Sequence, residues 1–220
     1  MMQYTHNYMK IFLDTADTEV INNAYRSGLV DGVTTNPTLI MKSGRNPEEV
    51  YQEIKDIGIT DISMEVVGDE GEMYREGKRL YEKFGSVCTV KVPCTREGLA
   101  VCKSLSDQNI KVNVTLIFSA AQAVLAAKAG ATYVSPFVGR CNDNSVSGVE
   151  LVRAISGTYA AHGVKTQILG ASLRDVHHVS RCYMYGADVI TMPPKVFWKM
   201  YDHVLTREGL DLFQKDWEST

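Results

Sequence analysis

The sequence has no apolar run near the roughly 18 residues that a membrane-spanning helix requires. It has no lysine- and arginine-rich stretch, and Lys+Arg 23 against Asp+Glu 26 leaves a net charge of −3. A membrane protein and a nucleic-acid binder are both disfavoured on these grounds. Cysteine is scarce: Cys88, Cys94, Cys102, Cys141 and Cys182 form no Cys-x-x-Cys pair and no paired Cys/His spacing. A disulfide framework and a zinc site are therefore not expected. The thiols read as reduced and buried, with a catalytic thiol at Cys94 as the lesser alternative. His177 and His178 are adjacent, and neighbours do not share a helix face. No carboxylate–histidine cluster has metal-ligand spacing, so no metal is expected. The opening MMQYTHNYMK lacks the apolar stretch of a secretory signal, and the expectation is a cytoplasmic protein.

What is present is a large core, since 45% of residues are hydrophobic. Eight short β-branched runs read as strands: 10–15, 32–36, 61–67, 87–93, 111–117, 132–138, 166–172 and 188–192. Every gap between them can hold a helix. Asn46-Pro47-Glu48-Glu49 predicts an N-cap, a proline at the first helical position and a reciprocal acid at the third. Val50, Ile54 and Ile57 follow at helical spacing, and Gly58 ends the run. Ser119 is set to cap a helix ending at Gly130. Residues 195–205, KVFWKMYDHVL, read as one amphipathic helix against the barrel. The FQKDW segment near the end reads as a helix packing on a neighbour, with its aromatic more often core than oligomer contact.

Strands alternating with helices pair in parallel through right-handed crossovers. An open doubly wound sheet and a closed (β/α)8 barrel both fit. No glycine-rich GxGxxG turn follows the first strand, which weighs against the open, dinucleotide-binding form. The repeat is even and has no linker, so the expectation is α/β, one (β/α)8 TIM barrel over residues 10–220 with a C-terminal helix. Residues 1–9 read as a tail.

In a parallel barrel the strands should be apolar on both faces, so the polar exceptions stand out. They are Asp14, Asn36, Glu65, Lys91, Asn113, Thr115, Ser135 and Ser172. All fall toward C-terminal strand ends, where barrel enzymes place their chemistry. With a period of two, Lys91 facing inward sends Val90 and Val92 outward. Asn113 and Thr115 share a face, as do Ser135 and Phe137. Each has a bland reading as well: Asp14 as a cap or loop anchor, Asn36 before Pro37 as a turn signal, Lys91 in a buried Lys–Asp or Lys–Glu pair.

Burial disfavours a lysine ammonium and lowers its pKa, and a desolvated amine attacks a carbonyl to form a Schiff base. That chemistry needs proton carriers. Glu65 suits a water-mediated shuttle, and Asp14 suits the substrate hydroxyl released in carbon–carbon cleavage. Asn36 and Asn113 can hold substrate hydroxyls. Arg140 and Arg174 follow strands six and seven, where barrels often bind phosphate. Their guanidinium forks match phosphate oxygens. Ser172 and backbone N–H groups at the next helix start can add donors. Alone, either arginine could be a surface charge.

FLDTAD (12–17), GVTTNPTLI (32–40), VKVPCTREGL (90–99), NVTLIFSAAQA (113–123), YVSPFVGR (133–140) and GASLR (170–174) occur in this order. In these motifs the chain resembles the transaldolases, in particular the short subfamily that includes fructose-6-phosphate aldolase. The resemblance implies a Schiff-base lysine at Lys91, the first-strand acid at Asp14 and the TTNP asparagine at Asn36. It implies substrate contacts at Asn113, Thr115 and Ser135, and phosphate contacts at Arg140, Ser172 and Arg174. Glu65 and Phe137 match the transaldolases, where the aldolases usually carry Gln and Tyr. Phe137 has no proton to give the retained three-carbon carbanion, so transfer to an aldehyde is implied. The implied reaction moves a dihydroxyacetone unit from sedoheptulose 7-phosphate to glyceraldehyde 3-phosphate. Its products are erythrose 4-phosphate and fructose 6-phosphate, in the pentose phosphate pathway. No organic cofactor is expected, because Lys91 itself carries the covalent chemistry. A fructose-6-phosphate aldolase and a non-catalytic sugar-phosphate-binding protein are the alternatives. The subfamily also implies a homo-oligomer, typically a decamer of two pentameric rings.

Overall fold

The computed structural model describes residues 9–219. Most of the expected tail, residues 1–8, lies outside the described residues. The strands are β1 (Lys10–Asp14), β2 (Gly32–Thr34), β3 (Ile62–Glu65), β4 (Cys88–Pro93), β5 (Val112–Ile117), β6 (Tyr133–Pro136), β7 (Gln167–Gly170) and β8 (Val189–Met192). Each pairs in parallel with the next, and β8 closes on β1. The helices are α1 (Thr18–Tyr25), α2 (Pro37–Ser43), α3 (Pro47–Ile57), α4 (Glu70–Phe84), α5 (Arg96–Ser106), α6 (Ala120–Lys128), α7 (Val138–Asp143), α8 (Gly148–His162), α9 (Val176–Met184), α10 (Pro194–Lys199) and α11 (Val204–Glu218). The molecule is a (β/α)8 barrel, and the strands fall inside the eight runs read from the sequence.

Strand parity divides the apolar residues into two cores. Outward residues such as Leu13, Val33, Met64, Val90, Val92, Val112 and Val114 pack under the helices in one continuous cluster. A smaller cluster fills the barrel interior: Phe12, Tyr133, Leu169, Ala171 and Val189. Gly32 makes room for it, because a Cβ there would lie 2.5 Å from the Phe12 ring. Below that layer, the Asp61 carboxylate accepts from Thr89 Oγ1 at 2.7 Å, Lys111 Nζ at 3.0 Å and the Tyr133 hydroxyl at 3.0 Å. One acid thus ties the N-terminal ends of β3 to β6. Above it, toward the C-terminal ends, the interior turns polar.

The helices follow their caps and stripes. Ser119 and Gln122 form a capping box on α6, and Asp69 and Glu72 form another on α4. Val50 and Ile54 of α3 are buried, and Gly58 ends that helix with φ +110°. Met73, Leu80 and Phe84 bury the face of α4.

Four expectations are corrected. Among the described residues, Glu49 makes no reciprocal capping bond at α3: the Asn46 side chain accepts from Glu48 N, one residue short of the expected position. Asn36 does not end strand two but caps α2, accepting from Leu39 N at 3.0 Å. The single helix over 195–205 is two helices. Successive turns at Met200, Tyr201 and Asp202 close α10, and His203 is extended with its ring nitrogen accepting from Leu205 N. The aromatic near the end is not core: α11 buries none of its residues, and Trp217 is 80% exposed. Among the described residues, no helix is long and apolar enough to cross a membrane.

Candidate active site

A cavity at the C-terminal mouth is lined by Asp14, Thr34, Asn36, Lys91, Asn113 and Thr115, with Ser135, Phe137, Arg140, Ala171, Ser172 and Thr191. Nine of the eleven residues singled out from the sequence are among them. Glu65 reaches the same place through Lys91, and Arg174 stands behind the rim.

Lys91 is the centre. It is third from the end of β4, paired with Glu65 on one side and Asn113 on the other. Only 6% of the residue is exposed. Its Nζ lies 3.0 Å from Glu65 Oε2 and donates to the Thr35 carbonyl at 2.9 Å. The Lys–Glu pair considered from the sequence is therefore real. It does not exhaust the site, because an isolated structural pair would not need a polar cavity around it.

Asp14 ends β1. Burial raises its carboxyl pKa above the ordinary value, against the opposing pull of the Lys91 charge and a hydrogen bond from Thr34. Thr34 Oγ1 donates to Asp14 Oδ1 at 2.8 Å. A carboxyl group held in this way can exchange a proton nearer neutrality than a free one.

On the opposite wall, Asn113 is fixed from both ends. Its Nδ2 donates to Ser63 Oγ at 3.2 Å, and its Oδ1 accepts from Ser135 Oγ at 2.7 Å. All three side chains are buried. The Thr115 hydroxyl, two residues along, is buried with no hydrogen-bond partner among the described residues. An unpaired buried hydroxyl is costly, and here it faces a cavity that a ligand could fill. β5 is irregular at this point: the register against β6 shifts between Val114 and Ile117, and Leu116 takes φ +60°.

The rim comes from β6–α7 and β7–α9. The Arg140 guanidinium lies 5.0 Å from the Phe137 ring centre, a cation–π contact. The Phe118 ring meets Phe137 edge-on at 5.8 Å. Ser172 is held at φ +60°, a conformation that costs energy for a residue with a Cβ. Arg174 is half-exposed and pairs with Asp143 of α7. The α9 start is already capped: Asp175 accepts from His178 N. The backbone donors expected there are thus partly committed within the protein. His178 joins the two rim segments, with Nδ1 2.8 Å from Asp175 and Nε2 3.1 Å from Asn142.

The thiols stand apart. Cys88 and Cys182 are pushed up to about 12 and Cys102 to about 11 by burial. Cys94 is raised by the same cause. A raised pKa removes thiolate, so the structure gives Cys94 no activation.

Thr34, Ser63 and Thr191 escaped the sequence reading. All three hydroxyls sit inside strands and share inward parity with Asp14, Glu65 or Lys91. Ser63 in ISME and Thr191 in VITM are the polar interruptions that would have revealed them.

Fold and site together define a (β/α)8 barrel with a buried lysine amine set among carboxyl, amide and hydroxyl groups at its mouth. Residues 11–220 match the family described as transaldolase/fructose-6-phosphate aldolase. The chain is 51% identical over 213 residues to a "Probable transaldolase" of Caulobacter vibrioides, covering 96% of this chain and 98% of that one. It is 53% identical to a "Probable transaldolase" of Paracoccus denitrificans and 52% identical to one of Roseobacter denitrificans, with the same coverage. The chain belongs to the transaldolase/fructose-6-phosphate aldolase family, and its chemistry is of the transaldolase type.

Proposed function

We propose that this chain is a transaldolase that moves a dihydroxyacetone unit from sedoheptulose 7-phosphate to glyceraldehyde 3-phosphate through a Schiff base on Lys91. The carrying observation is the placement of Lys91 Nζ, buried in a polar cavity between Glu65 and the Thr35 carbonyl. In this reading the Lys91 amine attacks the donor ketone. Glu65, 3.0 Å from Nζ, handles the proton that leaves with water through a bound water molecule. The protonated imine then draws electrons as the bond between the third and fourth carbons breaks. Asp14 takes the proton of the hydroxyl on the fourth carbon, and erythrose 4-phosphate leaves.

Three carbons stay on Lys91. The Asn36 and Asn113 amides and the hydroxyls of Thr115 and Ser135 hold their oxygens, and Arg140, Ser172 and Arg174 hold the phosphate of the entering aldehyde. Addition to glyceraldehyde 3-phosphate and hydrolysis give fructose 6-phosphate, completing a step of the pentose phosphate pathway. Phe137 supports transfer over release, because its ring offers no proton to the waiting carbanion. Free thiols fit a reducing cytoplasm. The exposed apolar face of α11 fits a homo-oligomer, a decamer in the form that the subfamily resemblance implies.

Borohydride trapping with fructose 6-phosphate, followed by peptide mass mapping, tests this. A reduced three-carbon adduct on Lys91 is expected. Sugar phosphate bound to folded protein without an adduct would overturn the mechanism and leave a binding protein. Steady release of free dihydroxyacetone without an acceptor would make it an aldolase.

A further inference from the structure

Asp14, Thr34 and Thr191 belong to β1, β2 and β8, yet their side-chain oxygens form one line. Thr34 Oγ1 lies 2.8 Å from Asp14 Oδ1 and 2.7 Å from Thr191 Oγ1. The register builds it: Asp14 pairs with Thr34 across β1–β2, and Thr191 pairs with Phe12, two residues before Asp14, across β1–β8. Both threonines are buried and both line the cavity that holds Lys91.

The proton order follows from counting. A hydroxyl carries one proton and two lone pairs, while a carboxylate only accepts. With Asp14 ionised, the Thr34 proton is committed to it. The contact between the two threonines can then run only one way, Thr191 donating and Thr34 accepting. Among the described residues, Thr34 is the one hydrogen-bond partner of the Thr191 hydroxyl. Two hydroxyl dipoles thus point in series at the carboxylate, and each strengthens the next.

We propose that Thr191 is a positioning residue for Asp14, acting through Thr34 to favour the carboxylate form and to aim it into the cavity. The inference rests on the reading of Asp14 as the proton carrier. The two threonines oppose the burial that favours the neutral acid, and so raise the share of carboxylate. Asp14 then meets the substrate hydroxyl as a base. Lys91 is the cationic group that also faces Asp14, and it acts in the same direction.

The test compares Thr191→Val, Thr191→Ser and Thr34→Val with the parent. The Asp14 carboxyl is titrated by carbon-13 NMR in substrate-free protein, with Asp14→Asn identifying its signal. The acid limb of kcat/KM against pH is measured alongside. Removing the direct donor in T34V should move the titration up by about one pH unit, the worth of one hydrogen bond to a charged group. T191V should move it up by roughly 0.3, the share owed to one relayed bond, and T191S should restore it. If T191V does not fold, Thr191→Cys, a weaker donor of similar size, takes its place with the same expected direction. A carboxyl titration unmoved or lowered in T191V or T191C would overturn the proposal. So would an equal loss of kcat/KM at every pH in T191V and T191S, which is a packing effect. Wild-type turnover in D14N would instead overturn the role of Asp14, and the carboxyl titration would still decide the relay.

Discussion

Asp14 shows how burial and charge compete at a single residue. Its folded pKa is raised because burial outweighs both Lys91 and Thr34. Between the ordinary value of 3.8 and the higher folded value, the native protein binds more protons than the unfolded chain. Stability then falls as pH rises through that window and stays lower above it. Asp14→Asn keeps the shape and an acceptor for Thr34 but removes the charge. Its urea midpoint should exceed the parent's at pH 7, and the gap should close as pH falls toward 4. A lower midpoint for D14N at pH 7 would mean that the Lys91 pairing outweighs burial. Activity should move oppositely, with D14N losing turnover. At this scale the sequence was most readable where a residue clashed with its surroundings, as Lys91 does between VCTV and VP. Thr34, Ser63 and Thr191 were hidden because threonine and serine fit a β-strand without conflict. Their function comes from oxygen-to-oxygen distances across strands, which no single strand encodes.

At the scale of elements, the rim depends on how closely two loops approach. A Cβ on Gly139, in α7, would lie 1.9 Å from the Ser172 carbonyl oxygen and 3.1 Å from Arg174 Nε. The two segments that carry Arg140, Ser172 and Arg174 therefore press together at a point only glycine allows. Gly139→Ala must push them apart, and overpacking of this kind costs about 1–3 kcal/mol. If the cost falls on phosphate binding, KM for a phosphorylated donor should rise on the order of 10-fold or more. The rate with an unphosphorylated ketose should change little. Equal losses on both donors would show that the strain spreads to Lys91 instead. The order and type of the elements were legible because apolar runs, caps and glycine stops agreed with one another. Element ends were less so. Asn36 reads as a strand end or as a turn before Pro37, and the tertiary position of α2 makes it a helix cap instead. Residues 195–205 keep an amphipathic pattern across a real break, since no glycine or proline marks the turn at Met200–Asp202.

The whole molecule carries an apolar helix that its own barrel leaves uncovered. In α11, Leu210, Phe213 and Trp217 follow at helical spacing beside Leu205 and Leu212, and all five are exposed. A monomer rarely leaves such a stripe open. With Phe213 68% and Trp217 80% exposed, covering these two at roughly 150–250 Å² per aromatic and ~25 cal/mol per Å² is worth about 6–9 kcal/mol before the costs of association. A second copy of the chain is the partner always available at matching concentration. Elsewhere on the surface, a groove of about 780 Å³ runs between α6 and α8, with apolar walls at Val124, Ala127 and Val164 and cations at Lys128 and Lys165. The acids Glu208 and Asp211 on α11 suit such a rim. Sedimentation velocity should therefore find the parent chain as an oligomer. The double change Phe213→Ser, Trp217→Ser should shift it toward smaller species while leaving the barrel's circular dichroism intact. A monomeric parent, or an unchanged oligomer in the double variant, would mean that α11 is covered by something other than another copy. The groove also tests charge: if Lys128 and Lys165 meet α11 acids, reversing both lysines to Glu should weaken assembly at low salt. The defect should fade as salt screens the repulsion.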